Sequence, residues 1–302
     1  MNTIPLGPKK PRLSSMHTHT PFCDGKDDVE TMCRTAAEKQ LCAIGFSAHA
    51  PIYKKTGIKT DWHMSEDRLD EYISEVFAAR SRWHGKLDVF LGFEVDYIKG
   101  LRSAMDSDIK AIKPDFIIGS VHYLVPANGA EPFTVDGPME EFENGFKNGF
   151  GGNGEALMHS YYDAMAEMIA IGGFDILGHA DIVKKNCLEK TFWNAENEAI
   201  RQEETARIIA ASGLVTEINT GGLNRGKIRE TYPSISFVSR LRKFEIPVII
   251  TADAHCANHL DGYYNIALQT LAAAGYSEHL LFSGKNNEKA VWSKEFIQKI
   301  KI

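Results

Sequence analysis

The sequence predicts an α/β fold of the parallel, barrel-like kind, and three observations lead there. Seven short apolar runs recur along the chain, and stretches of helical period separate them. Several runs are continuously apolar, as strands covered on both faces must be. No repeat, low-complexity tract or clear linker divides the 302 residues, and 43% hydrophobic residues can form a sizeable core. A single domain is expected over 13–302, behind a Pro-rich tail at 1–12.

"RLSSMH" (12–17) is the first expected strand, and a helix follows over 27–40 with an Asp available as its cap. "CAIGFSAH" (42–49) is the second strand; the helix after it, 65–83, starts at Ser65 with acidic residues in its first turn. "DVFLGFEVD" (88–96) and "DFIIGSVHY" (115–123) are the third and fourth strands. Residues 125–153, rich in Gly, Pro and Asn, read as an inserted long loop over one end of the fold, the usual character of a lid or binding element. A helix over 154–173 ends on a Gly pair and leads to the fifth strand, "FDILGHAD" (174–181). A helix over 194–212 stops at Ser212-Gly213 before "LVTEINT" (214–220). The last helix, 233–244, is entered through Pro233, and "IPVIITADAH" (246–255) is the seventh strand.

Net charge is −6 and no segment concentrates Lys or Arg, which excludes an electrostatic footprint for nucleic acid. "GPKKPR" (7–12) is a short solvated lead-in. The five cysteines are scattered without a CxxC, a pattern of free thiols in a reducing compartment. Residues 1–16 lack the apolar stretch of a signal peptide, and no run is long enough to span a membrane. The expectation is a soluble, cytoplasmic protein with no membrane partner.

Every expected strand but the sixth ends in a residue that binds metal. The first delivers His17 and His19, with Asp24 in the loop behind; the second His49; the third Glu94; the fourth His122. The fifth delivers His179, and the seventh Asp253 and His255. In a parallel barrel these ends converge on one face. Residues i and i+2 of a strand point the same way, so His17 and His19 can hold one ion, and Asp253 and His255 repeat the spacing. One such histidine alone is ordinarily a hydrogen-bonded core or surface residue. The joint pattern decides, because six of the eleven histidines stand at strand ends. His63, His84, His159, His259 and His279 fall in helix or loop contexts, where solvation is the default. Nine ligands are too many for one ion, so two or three are expected, and imidazole with carboxylate suits zinc, iron or manganese. The sixth strand ends instead in "NTGGLNRGK". There Arg225 is a candidate phosphate clamp through bidentate hydrogen bonds, and Asn219 positions that loop or a phosphate oxygen. Lys184 can add positive charge, and His63 can line the substrate pocket.

Taken together, "MHTHTPFCDG", "GFSAHAPI", "LGFEVDYI", "FIIGSVHYL", "DILGHADIVKK", "EINTGGLNRG…YPS" and "VIITADAHCANHLDGY" resemble the polymerase-and-histidinol-phosphatase (PHP) metallohydrolases. Within that family they are most similar to the monofunctional histidinol phosphatases, in family order over about 15–265. The resemblance implies a distorted TIM-like (β/α)7 barrel with three divalent ions. It assigns His17, His19, Glu94 and Asp253 to one ion, Asp24, His49 and His255 to a second, and Glu94, His122 and His179 to the third. Ala48 departs from the acidic residue the family commonly has before the second-strand histidine.

The implied activity is hydrolysis of a small phosphorylated substrate, foremost L-histidinol phosphate in histidine biosynthesis. Closely spaced divalent ions would lower the pKa of a water and neutralise phosphate charge. Asp253 or a water would return the proton to the leaving alkoxide. The alternatives are action on another small phosphomonoester or nucleotide, and a non-catalytic metal-binding regulator; the second predicts missing ligands, and none is missing.

Overall fold

The computed structural model describes residues 12–187 and 192–297, so nearly all of the expected tail lies outside the described residues. β1 (Ser14–Ser15) leads through the Asp24 loop to α1 (Val29–Glu38), whose cap is Asp28: its carboxylate accepts the Thr31 N–H at 2.7 Å. β2 (Ala43–Phe46) is followed by a 3-10 turn at Glu66–Arg68 that opens α2 (Leu69–Trp83). β3 (Asp88–Asp96) has the expected bounds, and α3 (Ser107–Ile112) stands before β4 (Phe116–Ser120).

The 125–153 segment is not the open loop its composition suggests. β5 (Tyr123–Leu124) pairs antiparallel with β6 (Phe133–Thr134), and α4 (Met139–Phe150) follows. Phe142, Phe146 and Phe150 recur every four residues and all join the main core, which outweighs the low helix propensity of Gly145 and Gly149. Gly145 is needed there: a Cβ would fall on the Phe133 ring.

α5 (Gly154–Ile171), β7 (Ile176–Leu177) and α6 (Ala195–Ser212) come next, α6 capped by Asn194 and closed by Gly213 at φ +72°. β8 (Val215–Asn219), α8 (Ile235–Lys243) and β9 (Val248–Thr251) complete the elements read from sequence, and a short α7 (Gly221–Asn224), not expected from it, stands between β8 and α8. α9 (Tyr264–Ala273) and a hairpin of β10 (Glu278–Asn286) and β11 (Lys289–Phe296) extend them.

The main sheet has the order β1-β2-β3-β4-β7-β8-β9-β10-β11, and every pair is parallel except the terminal hairpin. β1 and β9 meet just past their ends. The His19 N–H donates to the Ala254 carbonyl and the Ala254 N–H to that of His17, both at 2.9 Å. This contact sets the HxH and DxH segments side by side. One face packs Phe116, Ile118, Ile176, Val215 and Ile249 with Leu280 and Phe282 of β10. The helices cover the other face in a larger cluster. Each fully buried side chain of this size contributes about 1.5–3 kcal/mol. Phe116 fits only because Gly45 and Gly92 lack side chains, since a Cβ at either would collide with its ring. That apolar floor holds the strand ends above it in register.

Candidate active site and metal centre

All nine ligands expected from sequence meet at the C-terminal ends of the parallel strands. Glu94 is central. Its Oε2 lies 3.0 Å from His17 Nε2 and 3.1 Å from His49 Nδ1. Its Oε1 lies 2.9 Å from His179 Nε2 and 3.7 Å from His122 Nε2. His19 Nε2 is 3.3 Å from Asp253 Oδ1, and His255 Nε2 is 2.9 Å from Asp24 Oδ2. Asp253 takes its place with φ +47°, a conformation uncommon outside glycine, and Gly221 leaves the room: a Cβ there would meet the Asp253 carboxylate at 2.6 Å.

The donor atoms fall into overlapping groups, each within 4.8 Å: His17, His19 and Asp253; His19, Asp24, His49 and His255; Glu94 with His17 and His179; Glu94 with His49 and His122. Overlap of this kind suits neighbouring ions that share a carboxylate. Two observations fit a cation. His19 Nε2 and His49 Nδ1 are buried without a hydrogen-bond partner, although carboxylate oxygens stand close. The charge states also suit it. Burial keeps His19 and His49 below the usual imidazole value, with free lone pairs. Burial opposes ionisation of Glu94 and Asp253 as well, but His17, His49 and His122 around the first, and Arg225 and His17 beside the second, hold both well below the carboxylate range. Burial likewise disfavours a proton on His122, yet Asp96 and Glu94 push it up to about 10. A field that attracts a proton this strongly also attracts a metal ion.

A second layer of carboxylates was not read from sequence. Glu217 is fully buried, with Oε2 2.9 Å from His17 Nδ1 and 2.8 Å from the Thr251 hydroxyl. Its Oε1 accepts from the His179 N–H at 2.7 Å and from Asn219 Nδ2 at 2.8 Å. Asp96 accepts from His122 Nδ1 at 2.8 Å and His63 Nε2 at 2.7 Å. Such partners fix ring orientation and tautomer. Their signal was present: Glu94 and Asp96, like Glu217 and Asn219, sit two apart on one strand face.

The site opens into a cavity of ≈ 260 Å³ lined by Asp24, Trp62, His122, Asp136, Lys185 and Arg225, among others. Of the four substrate-binding candidates only Arg225 lines it. Arg225 Nη2 donates to Asp253 at 2.9 Å, and Nη1 approaches His255 Nδ1 at 3.1 Å. Lys184 is spent elsewhere, donating to Asp181, Glu230 and the Thr231 carbonyl at 2.9–3.0 Å. Its neighbour Lys185 faces the cavity instead. Asn219 uses both amide atoms within the fold, donating to Glu217 and accepting from the Gly221 N–H at 2.7 Å. His63 is buried rather than solvated, with Thr60 on one nitrogen and Asp96 on the other; His279 is buried as well. Asp136 and Trp62 are loop residues that nothing local distinguishes.

Residues 15–221 match the PHP domain family. The chain belongs to that family. Among curated proteins, a Deinococcus radiodurans protein named a probable histidinol-phosphatase is 29% identical over 244 residues, 80% of this chain and 86% of that one. The histidinol-phosphatase of Bacillus subtilis is 27% identical over 269 residues, 84% of this PHP chain and 97% of its own. A solved Listeria monocytogenes structure superposes with a TM-score of 0.73 at 22% identity, over 83% of this chain and 99% of that one. Histidinol phosphate phosphatase from Lactococcus lactis, solved with zinc, L-histidinol and phosphate, gives 0.67 at 18% identity, over 93% and 99%. These solved structures share the α/β fold. Among the described residues no helix is long and apolar enough to cross a membrane.

Proposed function

We propose that this PHP chain is a metal-dependent phosphomonoesterase that hydrolyses L-histidinol phosphate to L-histidinol and phosphate, a step of histidine biosynthesis. One observation carries the metallohydrolase reading: nine imidazole and carboxylate ligands converge beside an open cavity with Arg225 at its wall. The names of the two curated relatives, which match at least 80% of this chain, support the substrate. The β1–β9 contact supports a seven-stranded (β/α)7 barrel, one unit over 13–302 in which the 125–153 insertion roofs the site.

Three divalent ions, zinc, manganese or iron, would be held by His17, His19, Glu94 and Asp253, by Asp24, His49 and His255, and by Glu94, His122 and His179. Bound there, such ions supply Lewis acidity, activating water and offsetting phosphate charge. Arg225 binds a phosphate oxygen and stabilises the added charge as water attacks phosphorus and the P–O bond to the alcohol breaks. Asp253, ionised and paired with Arg225, aligns that guanidinium, and the proton released by the attacking water reaches the leaving alkoxide through Asp253 or a second water. Asn219, Lys184 and His63 hold the fold of the site rather than the substrate.

The test is phosphate release from a panel of phosphomonoesters by protein loaded with zinc, manganese or iron. A strong kcat/KM preference for L-histidinol phosphate is expected. Weak, even turnover across the panel would retain the chemistry and remove the substrate assignment.

A further inference from the structure

Asp24, Glu94, Asp136 and Asp253 are the carboxylates that line the cavity. Three of them belong to the metal-ligand groups, and Asp136 belongs to none. It reaches the cavity from the turn between β6 and α4, where the Val135 N–H donates to the carbonyl of the ligand His122 at 2.8 Å. Two consecutive side chains after β7 fix this turn. Lys185 Nζ donates to the Asp136 carbonyl at 2.6 Å and to its Oδ2 at 3.1 Å. Asn186 Nδ2 donates to the flanking carbonyls of Val135 and Gly137, at 3.2 and 3.0 Å. The second oxygen, Oδ1, has no hydrogen-bond partner among the described residues. The carboxylate is therefore held in position with one acceptor open, the arrangement of a prepared recognition group.

A phosphomonoester seated with its phosphate at Arg225 and the ligand cluster would share this cavity with Asp136, Trp62, Ile182 and Pro138, which leaves Asp136 as the lining carboxylate outside the ligand groups that its alcohol portion can meet. We propose that Asp136 is the specificity residue for a substrate ammonium, its Oδ1 accepting a charge-assisted hydrogen bond from the amine one carbon away from the phosphorylated carbon. The inference rests on the phosphatase reading above and adds to it the group that separates amino-alcohol phosphates from other small phosphomonoesters. Lys185 has two tasks in this arrangement: it orients the carboxylate, and it offsets part of its charge so that Asp136 stays compatible with an incoming phosphate. A purely structural Asp136 would instead serve only to tie the turn to Lys185, and its loss would affect all substrates alike.

The experiment compares kcat/KM for L-histidinol phosphate and for 3-(imidazol-4-yl)propyl phosphate, the same ester without the amine, in the metal-loaded wild type and in Asp136→Asn. The wild type is expected to favour the amine-bearing ester by about tenfold or more, the scale of one hydrogen bond to a charged group. Asp136→Asn should bring that ratio to within about threefold of unity, and Asp136→Glu should restore part of it. An unchanged ratio in Asp136→Asn overturns the inference. Hydrolysis of both esters by the wild type at equal efficiency also overturns it, while the phosphatase reading stands. Hydrolysis of neither removes the phosphatase reading itself. Should the variants fail to fold, inhibition of the wild type decides: L-histidinol should inhibit about tenfold more tightly than 3-(imidazol-4-yl)propanol, and equal inhibition rejects the role.

Discussion

Glu217 has four neighbours and no open valence. Its oxygens meet the His17 ring, the Thr251 hydroxyl, the His179 N–H and the Asn219 amide, all inside the fold. A glutamine would bring an NH2 against groups that themselves donate, leaving a buried donor unmet and the His17 ring free to turn. Glu217→Gln should weaken metal binding about 10- to 100-fold, as read by metal titration, with kcat falling alongside. Metal affinity equal to the wild type would reduce Glu217 to a packing residue. The convergence of the imidazoles it supports was legible because strand ends in a parallel fold meet, so a histidine in "HTH" and another in "DAH" become neighbours without any loop being known. The same two-residue period marks Asp96 from Glu94 and Glu217 from Asn219. Asp136, Lys185 and Trp62 could not be found this way. Which loop side chain turns into a cavity depends on tertiary contacts such as those of Asn186, and no local pattern encodes them.

Among the elements, β2 and β3 show how the apolar floor constrains the site. Gly45 and Gly92 face the ring of Phe116, and neither has room for a methyl group. Gly92→Ala should therefore destabilise the metal-loaded protein by about 1–3 kcal/mol in urea unfolding, the usual cost of overpacking. Unchanged stability would mean that Phe116 has space to move and that the floor is looser than its geometry. β3, a continuous apolar run, was read from sequence with its bounds intact, whereas the other six strands are shorter than the runs that announced them, β7 most of all. α4 was obscured because glycine and asparagine alternate with its phenylalanines, and composition masks a four-residue period. β10 and β11 pair with each other along most of their length, and β11 alternates half-buried with exposed positions, a weaker signal than a run covered on both faces.

At the scale of the whole molecule, the chain gathers buried histidines and carboxylates at the C-terminal ends of its parallel strands. Asp96 illustrates the acid side: burial opposes its charge, but His122 and His63 hold its pKa below the usual value, so its contribution is complete above about pH 4 and is lost as pH falls. His122 works in the opposite sense. Its raised value means that, in metal-stripped protein, its contribution is complete below about pH 6.5 and is lost as pH rises through about 10. An ion bound at the same ring needs it deprotonated, so metal and proton compete. The stabilisation from bound metal should grow as pH rises and shrink as it falls. Melting temperatures of loaded and stripped protein, measured at pH 5.5, 7 and 8.5 with free metal held constant, should separate progressively toward the alkaline end. A constant gap would place the metal on groups that do not titrate across this range, and would remove His122 and its neighbours from the centre.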